Sequence, residues 1–359
     1  MTRTSEPRQD ERVRRVGWLQ RLLVRPELGA VAGALIIFAF FAILAGDKGF
    51  LSPRGIRTWL EVSAQFGILG LGATLLMIGG GFDLSVGSMI AAAGMMFMLP
   101  VVELGWPIPL AFIVTMAFAL LVGWVNGTIV NRTNLPSFIV SLAFLFILRG
   151  LTLGVTRLVT GTTQVSVRSF IGTVPGVTTG MEAREVLQAN PIGRAFSFDF
   201  LGLPASVYWW LGLTAIAVYV LRRTRFGNWI FAVGGNPDAA RNVGVPVERV
   251  RVVLFMCTAS CATILALLQV FDLGSADVTR GLLKEFEAII VAVIGGTLLT
   301  GGYGAAVGAV FGALVFGMTS QGIFIAQWNT DWFRVFLGGL LLLAVVFNDY
   351  IRKLVTEAQ

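Results

Sequence analysis

Histidine does not occur in this 359-residue chain, which removes the usual imidazole base, proton relay and metal ligand from its chemistry. Cysteine occurs twice. Cys257 and Cys261 stand four apart in an apolar run, on one face of a helix, and read as buried, inert thiols, since reactive ones need a partly exposed electropositive setting. Charged residues make up only 13% of the chain, against about 25% in an ordinary soluble domain. Hydrophobic residues make up 56% and the mean hydropathy is +0.81, so the composition is that of a polytopic membrane protein. No G-x-x-x-x-G-K-S or G-x-x-x-x-G-K-T phosphate loop is present, so the chain does not bind ATP by that route. There is no nucleophile, base and orienter arrangement and no cluster of metal ligands, which argues against a membrane enzyme. The net charge of +7 sits beside apolar runs, where cations act as topology signals rather than as a nucleic-acid footprint.

What is present is a series of apolar runs of roughly the 17 to 25 residues that cross a bilayer. They fall at 28–45, 59–78, 84–102, 108–130, 136–154, 206–221, 252–271, 285–300, 304–325 and 332–348. The first 27 residues carry seven arginines and read as a cytoplasmic tail before an uncleaved first span, because Asp47 and Lys48 follow the run where a cleavage site would need small residues. With that start, 16 of the 27 cations fall on the cytoplasmic side. The division is then a tail at 1–27, a membrane domain at 28–348 and a cytoplasmic tail at 349–359. Within the domain, 155–204 is a periplasmic loop containing a small helix from Met181 to Gln188, and 222–251 is a cytoplasmic loop.

Between the second and third runs lies Gly79-Gly80-Gly81-Phe82-Asp83-Leu84-Ser85-Val86-Gly87-Ser88. Irregular backbone at membrane depth is tolerated only where protein or a watery cavity satisfies it, so a broken pair of helices lining a transport path is expected here. Asp83 has two readings. It can cap the helix that follows, or it can mark a pathway, as costly intramembrane charges tend to. A proton relay is disfavoured because Glu285 and Glu287 lie near a span's end, leaving no second intramembrane acid. Gln65, Ser88, Asn126 and Ser141 are polar groups in apolar runs, suited either to gluing helices or to a hydroxyl-rich solute. Ile294-Gly295-Gly296 and Gly301-Gly302-Tyr303-Gly304 echo the first break, and with five spans per half a repeat would be inverted. Gly308 and Gly312 read as close helix packing.

In the cytoplasmic loop, residues 234–244 read as a short helix: Asn236 as N-cap, Pro237 at the first helical position, Asp238 at the positive end of the dipole, and Gly244 closing it left-handed. Flanked by arginines, such a helix suits either a groove on another protein or the lipid headgroups.

Four segments, GGGFDLSVGS (79–88), NLPSFIVSLAFLFILRGL (134–151), AVGGNPDAARNVGVPVERVR (232–251) and AVIGGTLLTGGYGAAVGAVFGAL (292–314), together resemble the permease subunits of bacterial ABC importers for ribose, xylose, arabinose and galactose. The resemblance runs from about Phe50 to Lys353. It implies an all-α inner-membrane protein of about ten spans in two inverted five-helix halves, pairing with a second permease copy. It also implies a cytoplasmic ABC ATPase and a periplasmic sugar-binding protein as partners. No cofactor is bound by this chain, and ATP and Mg²⁺ belong to the ATPase. The coupling helix that meets the ATPase is Asn236, Pro237, Asp238, Ala239, Ala240, Arg241, Asn242, Val243 and Gly244. The solute path is assigned to Gln65, Phe82, Asp83, Ser85, Ser88, Asn126, Phe138, Ser141, Gly296 and Thr297. Phe82 stands where the family carries an aliphatic residue, which puts the substrate rather than the class in question. The alternatives are an ABC permease for a polyol, nucleoside, autoinducer sugar or branched-chain amino acid, and an ion-coupled carrier with Asp83 as its ion site.

Overall fold

The computed structural model describes residues 26–133, 135–171, 174, 176–329 and 331–356; the N-terminal arginine tail lies outside them apart from residues 26 and 27. The chain forms α1 (Pro26–Ala45), α2 (Pro53–Ile78), α3 (Val86–Glu103), α4 (Ile108–Thr133) and α5 (Ser137–Thr160). A connecting segment follows with β1 (Gln164–Ser166), α6 (Gly180–Gln188), α7 (Pro191–Ser197), and the strands β2 (Asp199–Phe200) and β3 (Leu203–Pro204). Then come α8 (Ala205–Arg223), α9 (Arg225–Gly235), α10 (Pro237–Asn242), α11 (Val247–Leu273), β4 (Ser275–Asp277), α12 (Lys284–Ile294), α13 (Ala306–Ile325) and α14 (Trp332–Thr356).

Eight of these helices are long and apolar enough to cross a membrane. The expected span at 285–300 is corrected: α12 has 11 residues, about 16 Å at 1.5 Å per residue and roughly half of a 30 Å hydrocarbon core. It stops where Gly296 takes φ +86, and the chain stays irregular to Ala305. Residues 332–348 are helical within α14, whose apolar stretch Trp332–Val346 is shorter than those eight, and α5 runs on to Thr160, shortening the loop expected from 155.

The two halves pack in matching ways. α2 lies on α13 as α11 lies on α4, and α3 lies on α11 as α12 lies on α2. The correspondence extends to single residues. Gly127 meets Val252 backbone and Gly317 meets Ser63, so the partners of one contact lie 189 and 190 residues from those of the other. Side chains at these glycines would push the helices apart. α1 and α8 break the pattern, since α1 packs chiefly on α13 and α8 on α2.

Local chemistry accounts for the ends. Ser52 caps α2, its Oγ accepting from Gly55 N at 3.0 Å, and Pro53 takes the first helical position. Thr179 and Glu182 form a capping box on α6. Bonds from Thr178 N, Thr178 Oγ1 and Thr179 N hold the Glu182 carboxyl below the usual range, so their support for α6 is present at neutral pH and lost as pH falls through that lowered value. β1 pairs antiparallel with β4, Val165 opposite Ala276, tying the segment after α5 to the one after α11.

Candidate functional site

The first break is the chain between α2 and α3, and α5 satisfies its backbone. Ser137 Oγ accepts from Phe82 N at 2.9 Å, and Ser141 Oγ accepts from Leu84 N at 3.0 Å. One turn on, Ser88 Oγ donates to Leu145 O. The break is thus laid along α5 rather than exposed to lipid, as its polar groups require.

Asp83 is buried in this break and draws three elements together. Its Oδ1 accepts from Ser85 N at 2.9 Å and from Ser85 Oγ at 2.5 Å, which is a local cap at the head of α3. Its Oδ2 accepts from Thr258 Oγ1 on α11 at 2.6 Å. Ser85 Oγ in turn accepts from Asn126 Nδ2 on α4 at 3.1 Å, while Asn126 Oδ1 has no hydrogen-bond partner. Thr258 is the twelfth residue of the 27-residue α11, so the cluster lies well inside the bundle.

The second break joins the first at their glycines. Gly302 N donates to Ile78 O at 2.8 Å, and Gly234, near the end of α9, is pressed between the same two groups. Gly80 and Gly301 face Gly234 as well, and Gly302 faces Gly235. Positive φ at Gly80, Gly301 and Gly302 suits glycine alone, and the missing side chains let three backbones touch. Directly beyond this joint is α10. Asn236 Oδ1 accepts from Asp238 N at 3.1 Å and Ala239 N at 3.0 Å, and Gly244 has φ +85, so its ends are built as the sequence indicates. Ala240 is buried beneath the helix, whereas Val243 is 79% exposed. A cavity of about 410 Å³ lies between α10 and the first break, lined by Gly80, Gly81, Ser137, Pro237, Arg241 and Arg251.

The sequence matches the family described as "Branched-chain amino acid transport system / permease component" over residues 55–345. The chain belongs to that permease family. Over 357 residues the permease is 32% identical to the xylose transport system permease protein XylH of Escherichia coli (strain K12), covering 89% of its own length and 91% of the relative's. It is 30% identical to the fructose import permease protein FrcC of Rhizobium meliloti, with 89% and 84% covered. To the ribose import permease protein RbsC of Escherichia coli (strain K12) it is 29% identical, with 90% and 94% covered. No solved structure gives a significant match.

Of the residues assigned to a solute path, the permease brings Phe82, Asp83, Ser85, Ser88, Asn126 and Ser141 together. Gly296 and Thr297 lie in the second break, where Thr297 is buried and its Oγ1 has no hydrogen-bond partner. Gln65 is elsewhere, its Oε1 accepting from Gln269 Nε2 on α11 at 3.1 Å. Phe138 is 47% exposed on α5 and stands outside the cluster.

Glu285, expected near a span's end, is a second buried acid. It is 2% exposed, in the first turn of α12, and packed against Gly87 in the first turn of α3. Arg149 on α5 lies 3.9 Å from Oε1, and Oε2 has no hydrogen-bond partner. Two helix N-termini thus favour its charge together with one arginine.

Proposed function

We propose that this permease is the membrane subunit of an ATP-driven importer that carries a monosaccharide into the bacterial cytoplasm. The observation that carries the reading is the joint at Gly234: the end of α9, which leads directly into the capped helix α10, lies backbone to backbone against both broken segments, so a push on α10 reaches them through α9. In this reading α10 is the coupling helix and receives its push from a separate cytoplasmic ATPase. ATP and Mg²⁺ are held there. A second permease copy completes the membrane part, and a periplasmic binding protein delivers the solute. The sugar class is supported by the xylose, fructose and ribose permeases among the relatives. A neutral hydroxyl-rich solute also suits an interior in which the carboxylate of Asp83 is already held by Ser85 and Thr258.

The test is reconstitution with the cognate ATPase and binding protein, measuring ATP hydrolysis against pentoses, hexoses, polyols, nucleosides and branched-chain amino acids. Stimulation by one sugar, dependent on the binding protein, is the expected result. An ion-coupled carrier is the second reading, favoured by the second buried acid; ion-driven uptake by this chain without any ATPase would establish it instead.

Because Ala240 faces inward, a charge there would disturb the seat of α10 itself, and Val243 is the position that reports docking. Val243→Arg is expected to abolish co-purification with the ATPase while leaving the permease monodisperse in detergent; undiminished complex formation would count against the coupling role. Cysteines introduced at Gly46 and Thr356 are expected to label from opposite sides of the membrane, the second from the cytoplasm. Labelling from one side would reverse the proposed orientation of the last span.

A further inference from the structure

A second polar site lies at the end of the bundle where α2 begins, far along the chain from the Asp83 cluster. Arg57, Glu61 and Gln65 recur every four residues on α2 and so form one stripe down a helix face. The stripe lines a cavity of about 240 Å³ closed by α8, α11 and the segment from Phe196 to Pro204. Pockets for drug-sized ligands run to about 300–1,000 Å³, so this one is on the scale of a single sugar ring.

The hydrogen-bonding capacity around the cavity is unfilled. Ser206 is only 6% exposed, lines the cavity and has no partner for its Oγ. Arg184 Nε, also on the lining, is buried without a partner too. Buried polar atoms are nearly always satisfied by protein, water or ligand, so two unpaired groups on the wall of one cavity point to an occupant.

The charges say which kind. Arg57 pairs with Asp199 at 2.5 Å and Arg184 with Asp272 at 2.9 Å, so each guanidinium is balanced in charge and Arg184 Nε remains as a single donor, which suits a hydroxyl better than a carboxylate. Glu61 forms no ion pair among the described residues and offers two acceptor oxygens to neighbouring hydroxyls. Phe198 supplies an apolar face of the kind that receives the C–H side of a ring, while Phe196, stacked on both Trp209 and Phe271, belongs to the packed wall.

We infer that this cavity is an entry subsite for a monosaccharide, with Glu61, Gln65 and Ser206 bonding its hydroxyls and the two ion pairs forming its rim. The inference rests on the sugar-importer reading above and adds the place where the solute first meets this chain. Below Gln65 the same stripe turns apolar at Leu69 and Ala73, so the Gln65–Gln269 pair is the floor of the subsite.

The experiment uses the complete reconstituted complex carrying Cys257→Ala and Cys261→Ala, with Ser206→Cys added and probed by a small cationic thiol reagent. Ribose, xylose and fructose are the sugars offered. At about nine times its half-saturating concentration the transported sugar is expected to slow labelling at this position about tenfold, because occupancy then leaves about one site in ten open. Labelling of Ser320→Cys, in a separate cavity beside Phe324 and Phe333, should not change. Glu61→Gln, which keeps the side chain's shape, should raise the half-saturating sugar concentration by a similar factor without changing the yield of folded protein. If a sugar is transported but gives no protection, the subsite is overturned and the importer stands, with only water in the cavity. If none of the three sugars is transported, the proposed sugar class falls, and this subsite with it.

Discussion

Gly234→Ala is expected to eliminate ATP-driven uptake and to lower the amount of folded permease, the largest effect foreseen for any single methyl group in this chain. The added Cβ would collide with Ile78 O and approach Gly302 N to 2.6 Å, and both are backbone atoms of the broken segments. A flexible side chain moves aside, but here two loops must shift and lose the 2.8 Å bond between them. Overpacking of an ordinary core site costs about 1–3 kcal/mol, and a site walled by backbone should stand at or above the upper end. Gly235→Ala is the control, because its Cβ would meet nothing within 4 Å. Thermal unfolding in detergent and sugar-stimulated ATP hydrolysis together read the result. Equal behaviour of the two variants would dissolve the joint as a mechanical element.

The second large effect is expected at Asp83, where the two substitutions separate its roles. Asp83→Leu leaves Ser85 N and Ser85 Oγ without their acceptor in a dry site, at about 1–3 kcal/mol for each group left unpaired, and removes the tie to Thr258 on α11. Little folded protein should accumulate. Asp83→Asn keeps an acceptor toward Ser85, and its amide can donate to Thr258 Oγ1, whose own proton has Phe255 O at 2.9 Å. That variant should fold and retain most transport. Normal folding of Asp83→Leu together with loss of uptake would make Asp83 a solute-path group rather than a structural tie.

Local chemistry was readable in the sequence, and tertiary company was not. Asn236-Pro237-Asp238 and Gly244 announce α10 because caps depend on neighbours within a few residues. The glycines flanking Asp83 and those after Ile294 likewise announce interrupted helices, since no continuous span would carry them without cause. The apolar run at 285–300 is hydrophobic enough to be read as a full crossing despite those glycines, but its helix stops at Ile294, just before them. Glu285 looked peripheral for the same reason. Counted from a full span it stands at an end, but counted from an 11-residue helix it is buried against α3. Phe138 has the residue type of a path lining and the wrong face of α5, which a helix with apolar residues all round does not reveal. The packing of Gly234 had no signal beyond an unexplained glycine pair. The spacing of Arg57, Glu61 and Gln65 puts them on one face of a helix, but nothing in the sequence says what packs against that face.

The ribbon of β1 and β4 has a mechanical meaning. It ties the segment after α5 to the segment after α11 through the three facing pairs from Gln164 and Asp277 to Ser166 and Ser275. The bond from Gly302 N to Ile78 O ties the two breaks as well. With α2 laid on α13 and α11 on α4 between those ties, the halves are riveted along their length and travel as one body. A push at α10 is then delivered to the whole body rather than lost in bending one half against the other.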